Sequence, residues 1–137
     1  RHPAILCAFV SSPNLDVGSP KVSFLAGALA AGIEISVDSL AARAAQLLKV
    51  ELVRPRSVIG KNTVEALQSG MIYGFAGQVD GLVNRITAEL RESYPGQPTV
   101  IATGGLAPLV LGIAETIKHH EPDLTLIGLR LIHERNG

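Results

Sequence analysis

The sequence is poor in the residues that most often announce a chemistry. Of its 137 residues one is cysteine, one is methionine and none is tryptophan, and aromatic residues make up 4%. A lone thiol, Cys7, can form neither an internal disulfide nor half of a zinc site, which places the chain in a reducing compartment, the cytoplasm. Charge of one sign is lacking as well. With 12 basic and 12 acidic side chains the formal net charge is +0, so the electrostatic footprint of a nucleic-acid binder is missing. The longest uncharged apolar-rich run, Phe24 to Ile33, falls far short of the ~20 residues that cross a bilayer. No basic stretch precedes Ala4–Val10, which argues against a secretory signal. What is present, 47% hydrophobic and 18% charged residues, is the composition of one folded cytosolic domain. The chain opens at Arg1-His2-Pro3 directly on an apolar strand pattern, the start expected of one half of a larger fold.

Ala4–Val10, bounded by the turn cluster Ser11-Ser12-Pro13-Asn14, predicts a strand, and Val22–Ala30 predicts a second. From Ile33 the period changes: Val37, Leu40, Ala41, Ala44 and Leu48 recur at helical steps. The longest element is a helix from Thr63 to about Ser93, with Asn62 and Glu65 placed for a variant capping box. Its predicted apolar face is Val64, Leu67, Met71, Phe75, Val79, Leu82, Ile86 and Leu90. Gly70, Gly74, Gly77 and Gly81 share another face. Each costs ~1 kcal/mol relative to alanine in a helix, so either another element packs closely on that stripe or the helix breaks near Gly74; close packing is the favoured expectation. Tyr94-Pro95-Gly96 ends the helix, Thr99–Ala102 forms a strand, an apolar helical segment runs on to His120, and Asp123 or Thr125 caps a last helix.

Val100-Ile101-Ala102-Thr103-Gly104-Gly105 is the sharpest local signal for chemistry. A strand, a double glycine and a helix bring backbone amides close to a nucleotide, and a helix start favours anions. Taken alone, a bare Gly-Gly is more often a plain turn. Thr63 is placed either for a polar ligand contact or for helix capping beside Asn62. Lys61 reads as a solvated loop charge, since the upstream glycines of a P-loop are missing. Asp38, Asp80 and Asp123 read as solvated or capping carboxylates. His119-His120 would project about 100° apart on a helix, unsuited to one metal, and His133 suits a helix C-terminus. Ser11 and Ser12 have no histidine nearby in sequence to activate them.

The run Val50-Glu51-Leu52-Val53-Arg54-Pro55, followed by Ile59-Gly60-Lys61-Asn62-Thr63-Val64-Glu65-Ala66-Leu67-Gln68-Ser69-Gly70, resembles type III pantothenate kinases. So do Tyr73-Gly74, Val79-Asp80-Gly81, Val100 to Leu106, Leu124-Thr125-Leu126 and Glu134-Arg135-Asn136. The resemblance implies an α/β ribonuclease-H-like domain of the actin and sugar-kinase superfamily, a central mixed sheet with flanking helices. It makes residues 1–137 the C-terminal domain of such a kinase, with the N-terminal domain absent. The implied activity is ATP-dependent phosphorylation of pantothenate on its 4′-hydroxyl, the first step toward coenzyme A. ATP, a divalent metal such as Mg2+ and a monovalent cation (K+ or NH4+) are the implied cofactors. A homodimer formed through the long glycine-striped helix, residues 63–93, is the implied assembly.

On the same resemblance, Thr63 and Gly32 are expected to bind substrate. Ser11, Thr103, Gly104, Gly105 and Leu106 are expected to bind ATP, the last four as the segment facing the adenosine. Ala8 occupies the place of the acid that binds the monovalent cation, and alanine has no donor atom to offer. Val10 stands for a glycine, Ser11 for an ATP-contacting threonine and Pro13 for another threonine. The N-terminal phosphate loop and the Gly-Ala-Asp-Arg motif with the catalytic base are absent, so no catalytic residue is assigned. Two other readings stay open: a non-catalytic truncated or decayed half serving as a dimerisation or binding module, and a superfamily kinase or phosphatase with another substrate.

Overall fold

The computed structural model describes residues 5–9, 14–18, 24–43, 50–94 and 96–137. Five strands form one mixed sheet in the order β3-β2-β1-β4-β5. β1 (Ile5–Phe9), β2 (Asn14–Gly18) and β3 (Phe24–Leu29) make an antiparallel meander. β4 (Thr99–Thr103) then joins β1 in parallel, and the short β5 (His119–His120) joins β4 in parallel. The strands expected at Ala4–Val10, Val22–Ala30 and Thr99–Ala102 are therefore present. β2 is the strand that sequence reading missed. Asn14-Leu15-Asp16-Val17-Gly18 is weak in strand formers, and it is held between two neighbours by ladder pairing on both edges.

Four helices accompany the sheet: α1 (Ile33–Arg43), α2 (Thr63–Leu90), α3 (Ala107–Val110) and α4 (Leu124–Asn136). The expected continuation of α1 to Leu48 lies outside the described residues. α2 starts where its capping signal says. Asn62 Oδ1 accepts from the Glu65 amide at 2.9 Å, and Glu65 Oε2 accepts from the Lys61 amide at 2.9 Å. One orphan donor of the first turn, the Glu65 amide, is thereby satisfied, and the reciprocal bond lands on the Lys61 amide, one residue before the cap.

The buried face of α2 is Ser69, Ile72, Ala76, Val79, Val83 and Thr87. At 100° per residue this face is rotated by roughly a quarter turn from the predicted stripe of large apolar residues. The small Ala76 lets the helix lie close to Ala102 of the sheet, while Met71, Phe75, Leu82 and Ile86 pack half-buried along the flank. Val79 and Val83 pack on Val100, and Ala76 packs on Ala102, Ala107, Val110 and Ala114. Val100 and Ala102 alternate onto one face of β4, so α2 and α3 cover that face together.

Two expectations need correction. The helical segment expected up to His120 is only α3, four residues long. Gly112, at φ 78°, ends that turn in a conformation few other residues adopt, and Ile113, Ala114 and Ile117 join the core from turns instead. His119 and His120 consequently lie on a strand, where successive side chains point to opposite faces. The second correction concerns the glycine stripe. α2 is unbroken, yet a Cβ built at Gly70, Gly74 or Gly77 would meet no atom within 4 Å, and one at Gly81 would meet only Arg85 Nη1 at 3.5 Å. This face lies roughly 140° around the helix from the buried one; Gly70 and Gly74 border a cavity of about 260 Å3 shared with Ala31, Ile33 and Ser36 at the start of α1, and none of the described residues packs closely on the stripe.

Candidate functional site

The register of the parallel pair sets the geometry. Ala8 lies beside Ala102 and Phe9 beside Thr103, so the chain leaves β1 and β4 at the same end of the sheet. Carboxyl ends of parallel strands are where open α/β sheets bind ligands. Beyond β4, Gly104 takes φ 101°, and its carbonyl accepts from the Ala107 amide at 3.2 Å. That reversal needs glycine, because a side chain is strained at such a φ. It turns Gly105 and Leu106 into the wall of a cavity of about 780 Å3. α1 supplies Glu34, Val37 and Asp38 to the same cavity, the connecting segment supplies Val50, Glu51 and Leu52, and α3 supplies Pro108 and Leu109.

The wall is mixed in a particular way. Val37, Val50, Leu52, Leu106, Pro108 and Leu109 give apolar faces, Glu34, Asp38 and Glu51 give carboxylates, and no cation is among the described lining residues. Such a pocket suits a flat, hydroxyl- and amine-bearing group better than phosphate. α3 is too short to offer a helix dipole for an anion, so the expected helix-start attraction is not available beyond Gly105.

The edge next to this cavity is laced onto α2. Gln68 Nε2 donates to the Glu51 carbonyl at 3.1 Å, Ser69 Oγ donates to the Val58 carbonyl, and Pro55 is buried. Gly60 passes so close to the first turn of α2 that a Cβ would sit 2.3 Å from the Ala66 amide nitrogen. Thr63, the first residue of α2, is exposed. Asn62 does the capping, so the cap role considered for Thr63 is not the one it plays.

Of the residues singled out from sequence, Gly105 and Leu106 line the cavity directly, while Thr103, buried, and Gly104 lead into it. Gly32 is buried at the start of α1, and its carbonyl accepts from the amide and hydroxyl of Ser36, both at 3.0 Å. Gly32 and Thr63 are not among the residues that line the cavity. Ser11 lies outside the described residues. Sequence reading did not assign Glu34, Val37 or Asp38 to a pocket, and it took residues 50–52 as part of a family run without a role; only the tertiary arrangement brings them to Gly105, with Asp38 still exposed. Asp80 is neither solvated nor a helix cap. Its carboxylate accepts from the amides of Glu115 and Thr116, both at 2.9 Å, and from Thr116 Oγ1 at 2.5 Å. Among the described residues no group of three or more His, Cys, Asp or Glu side chains could hold a metal ion. None of their helices is long and apolar enough to cross a membrane.

Residues 1–85 match the family model described as type III pantothenate kinase. The type III pantothenate kinase of Saccharopolyspora erythraea is 67% identical over 132 residues, which cover 96% of this chain and 50% of that one. The one from Acidothermus cellulolyticus is 61% identical over 134 residues, covering 98% and 51%. The one from Frankia alni is 65% identical over 134 residues, covering 98% and 52%. The chain thus spans about half the length of the curated relatives it matches. Among solved structures, a conserved Baf family protein from Campylobacter jejuni superposes with a TM-score of 0.62 at 17% identity, covering 98% of this chain and 58% of that one. At that identity the likeness speaks for the fold alone. The chain belongs to the type III pantothenate kinase family.

Proposed function

We propose that this chain provides the nucleoside-binding half of a cytoplasmic kinase that transfers the γ-phosphoryl group of ATP to the 4′-hydroxyl of pantothenate. The observation that carries the reading is the cavity at Gly105 and Leu106, reached from the carboxyl end of β4. Its apolar walls suit a purine ring, and Glu34, Asp38 and Glu51 are acceptors for amine and ribose hydroxyl donors. Like charges repel phosphate there, so the triphosphate would point outward. The strand order β3-β2-β1-β4-β5, three strands antiparallel and two added in parallel, supports a ribonuclease-H-like domain of the actin and sugar-kinase superfamily.

Thr63 is proposed to contact pantothenate, its hydroxyl left available by the Asn62 cap, and Gly32 to shape the floor near the start of α1. Phosphoryl transfer needs charge neutralisation more than covalent chemistry from the protein. A divalent ion such as Mg2+ would supply it, but the described residues make no cluster to hold one, so the ion would arrive on the phosphates. A monovalent cation does not fit at Ala8, whose methyl group offers no ligand atom. The open stripe Gly70, Gly74 and Gly77 supports a homodimer in which a second copy of α2 approaches this face.

Ala8 also favours a second reading, a binding or dimerisation module without turnover. Both are tested by incubating the purified chain with ATP, Mg2+ and pantothenate and following phosphopantothenate by mass. Turnover that disappears in Thr63→Ala establishes the kinase reading. A full-length parent that binds ATP with no turnover establishes the module.

A further inference from the structure

We infer that Asp80 is a positioning residue for the Gly104–Leu106 turn, acting through the 111–117 segment; the inference rests on reading the adjoining cavity as the nucleoside site. Asp80 sits on α2 one helical turn beyond Ala76. Ala76 packs in one small-residue cluster with Ala102 of β4, Ala107 and Val110 of α3, and Ala114. The chain that follows α3 is held by few backbone bonds: the amides of Ile113 and Ala114 donate to the Val110 carbonyl at 3.0 and 2.9 Å. The next two amides, those of Glu115 and Thr116, donate to Asp80 instead. Both carboxylate oxygens are engaged, Oδ2 by Glu115 and Oδ1 by the amide and hydroxyl of Thr116.

The 107–118 segment is therefore pinned at three places: by α3 on the core, by Asp80 in the middle, and by β5 on β4. α3 is only one turn long and supplies Pro108 and Leu109 to the cavity directly after Gly105 and Leu106. A single turn has no stability of its own, so its placement depends on what fixes its far end. Releasing residues 115–116 lets Ala114 leave the cluster, and the wall that faces the nucleoside loses its backing. Asp80 is not among the residues lining the cavity, and its effect on a ligand is indirect.

The test is amide hydrogen exchange of the chain with ATP titration by calorimetry, on Asp80→Ala, Thr116→Val and Thr116→Ser. Thr116→Val deletes one of the three bonds and keeps both amides, so it serves if Asp80→Ala does not fold. Expected for Asp80→Ala is exchange at least tenfold faster at 104–107 as well as at 115–117, with ATP affinity five- to tenfold weaker. Thr116→Val should fall between, and Thr116→Ser, which keeps the hydroxyl, should match the parent. Faster exchange confined to 115–117 with ATP affinity unchanged would overturn the inference. A parent chain that does not bind ATP, while the exchange effect still spreads to 104–107, would sink the nucleoside reading and leave the mechanical coupling standing.

Discussion

Gly60→Ala is expected to be among the most damaging single-methyl changes available in this chain. The added Cβ would lie 2.3 Å from the Ala66 amide nitrogen and 2.6 Å from both Ala66 Cα and the Glu65 carbonyl carbon. These are backbone atoms of the first turn of α2, and that turn is fixed by the Asn62 cap and the Lys61–Glu65 bond. No side chain can swing aside. Overpacking costs typically 1–3 kcal/mol, and three backbone contacts, each inside the 3.0 Å that real Cβ atoms essentially never cross, put this case at about 3 kcal/mol or above. For a domain of this size ~1 kcal/mol moves Tm by roughly 4 °C, so a fall of about 12 °C should appear in a thermal melt followed by circular dichroism. Gly74→Ala is the matched control. Its Cβ meets nothing within 4 Å on an exposed helical face, and the gain in helix propensity is ~1 kcal/mol, a rise of roughly 4 °C. A Gly60→Ala melt within about 2 °C of the parent would refute the close approach of residue 60 to α2.

Three further outcomes follow from the same geometry. Ile72→Ala, at a site with 0% exposure, should cost ~2–5 kcal/mol in urea unfolding, whereas Ile59→Ala, 83% exposed, should stay within ~0.5 kcal/mol. Gly77→Leu should leave the melting temperature of the monomer unchanged or raised while abolishing self-association in sedimentation velocity; a dimer that persists would move the interface off this face. Asn62→Ala should cost ~1 kcal/mol of stability and should not change the affinity for pantothenate, while Thr63→Ala should do the reverse, both read by thermal shift and calorimetry. Equal effects on both readouts would return Thr63 to a capping role.

Much of the fold was legible because it is written in local signals. Asn62 and Glu65 announce the start of α2, and the apolar runs at the start of the chain and at Thr99 mark strands, whereas α2 ends at Leu90 with Arg91 as its cap, short of the Ser93 that the period suggests. What stayed hidden depends on partners distant in sequence. β2 exists because β1 and β3 flank it. The core face of α2 is chosen by its neighbours: the sheet takes the small Ala76 inward against Ala102, the 50–60 segment takes Ser69, and the large Phe75 and Met71 are left at the flank. The candidate site divides along the same line. Gly104-Gly105 could be picked out because a positive φ demands glycine, whereas Glu34, Asp38 and Glu51 belong to the pocket only through the crossing of α1 and the 50–52 segment. Asp80 shows the limit most sharply: its three donors lie 35 and 36 residues away.

The most direct measurement of the central claim is a set of amide chemical-shift titrations of the chain with adenosine, ATP and tripolyphosphate in turn. Adenosine and ATP should both perturb Gly105, Leu106, Glu34 and Glu51, and tripolyphosphate alone should leave them unmoved. Perturbation of these amides by tripolyphosphate, or silence there with all three ligands, would contradict the assignment of this cavity to the nucleoside end of ATP.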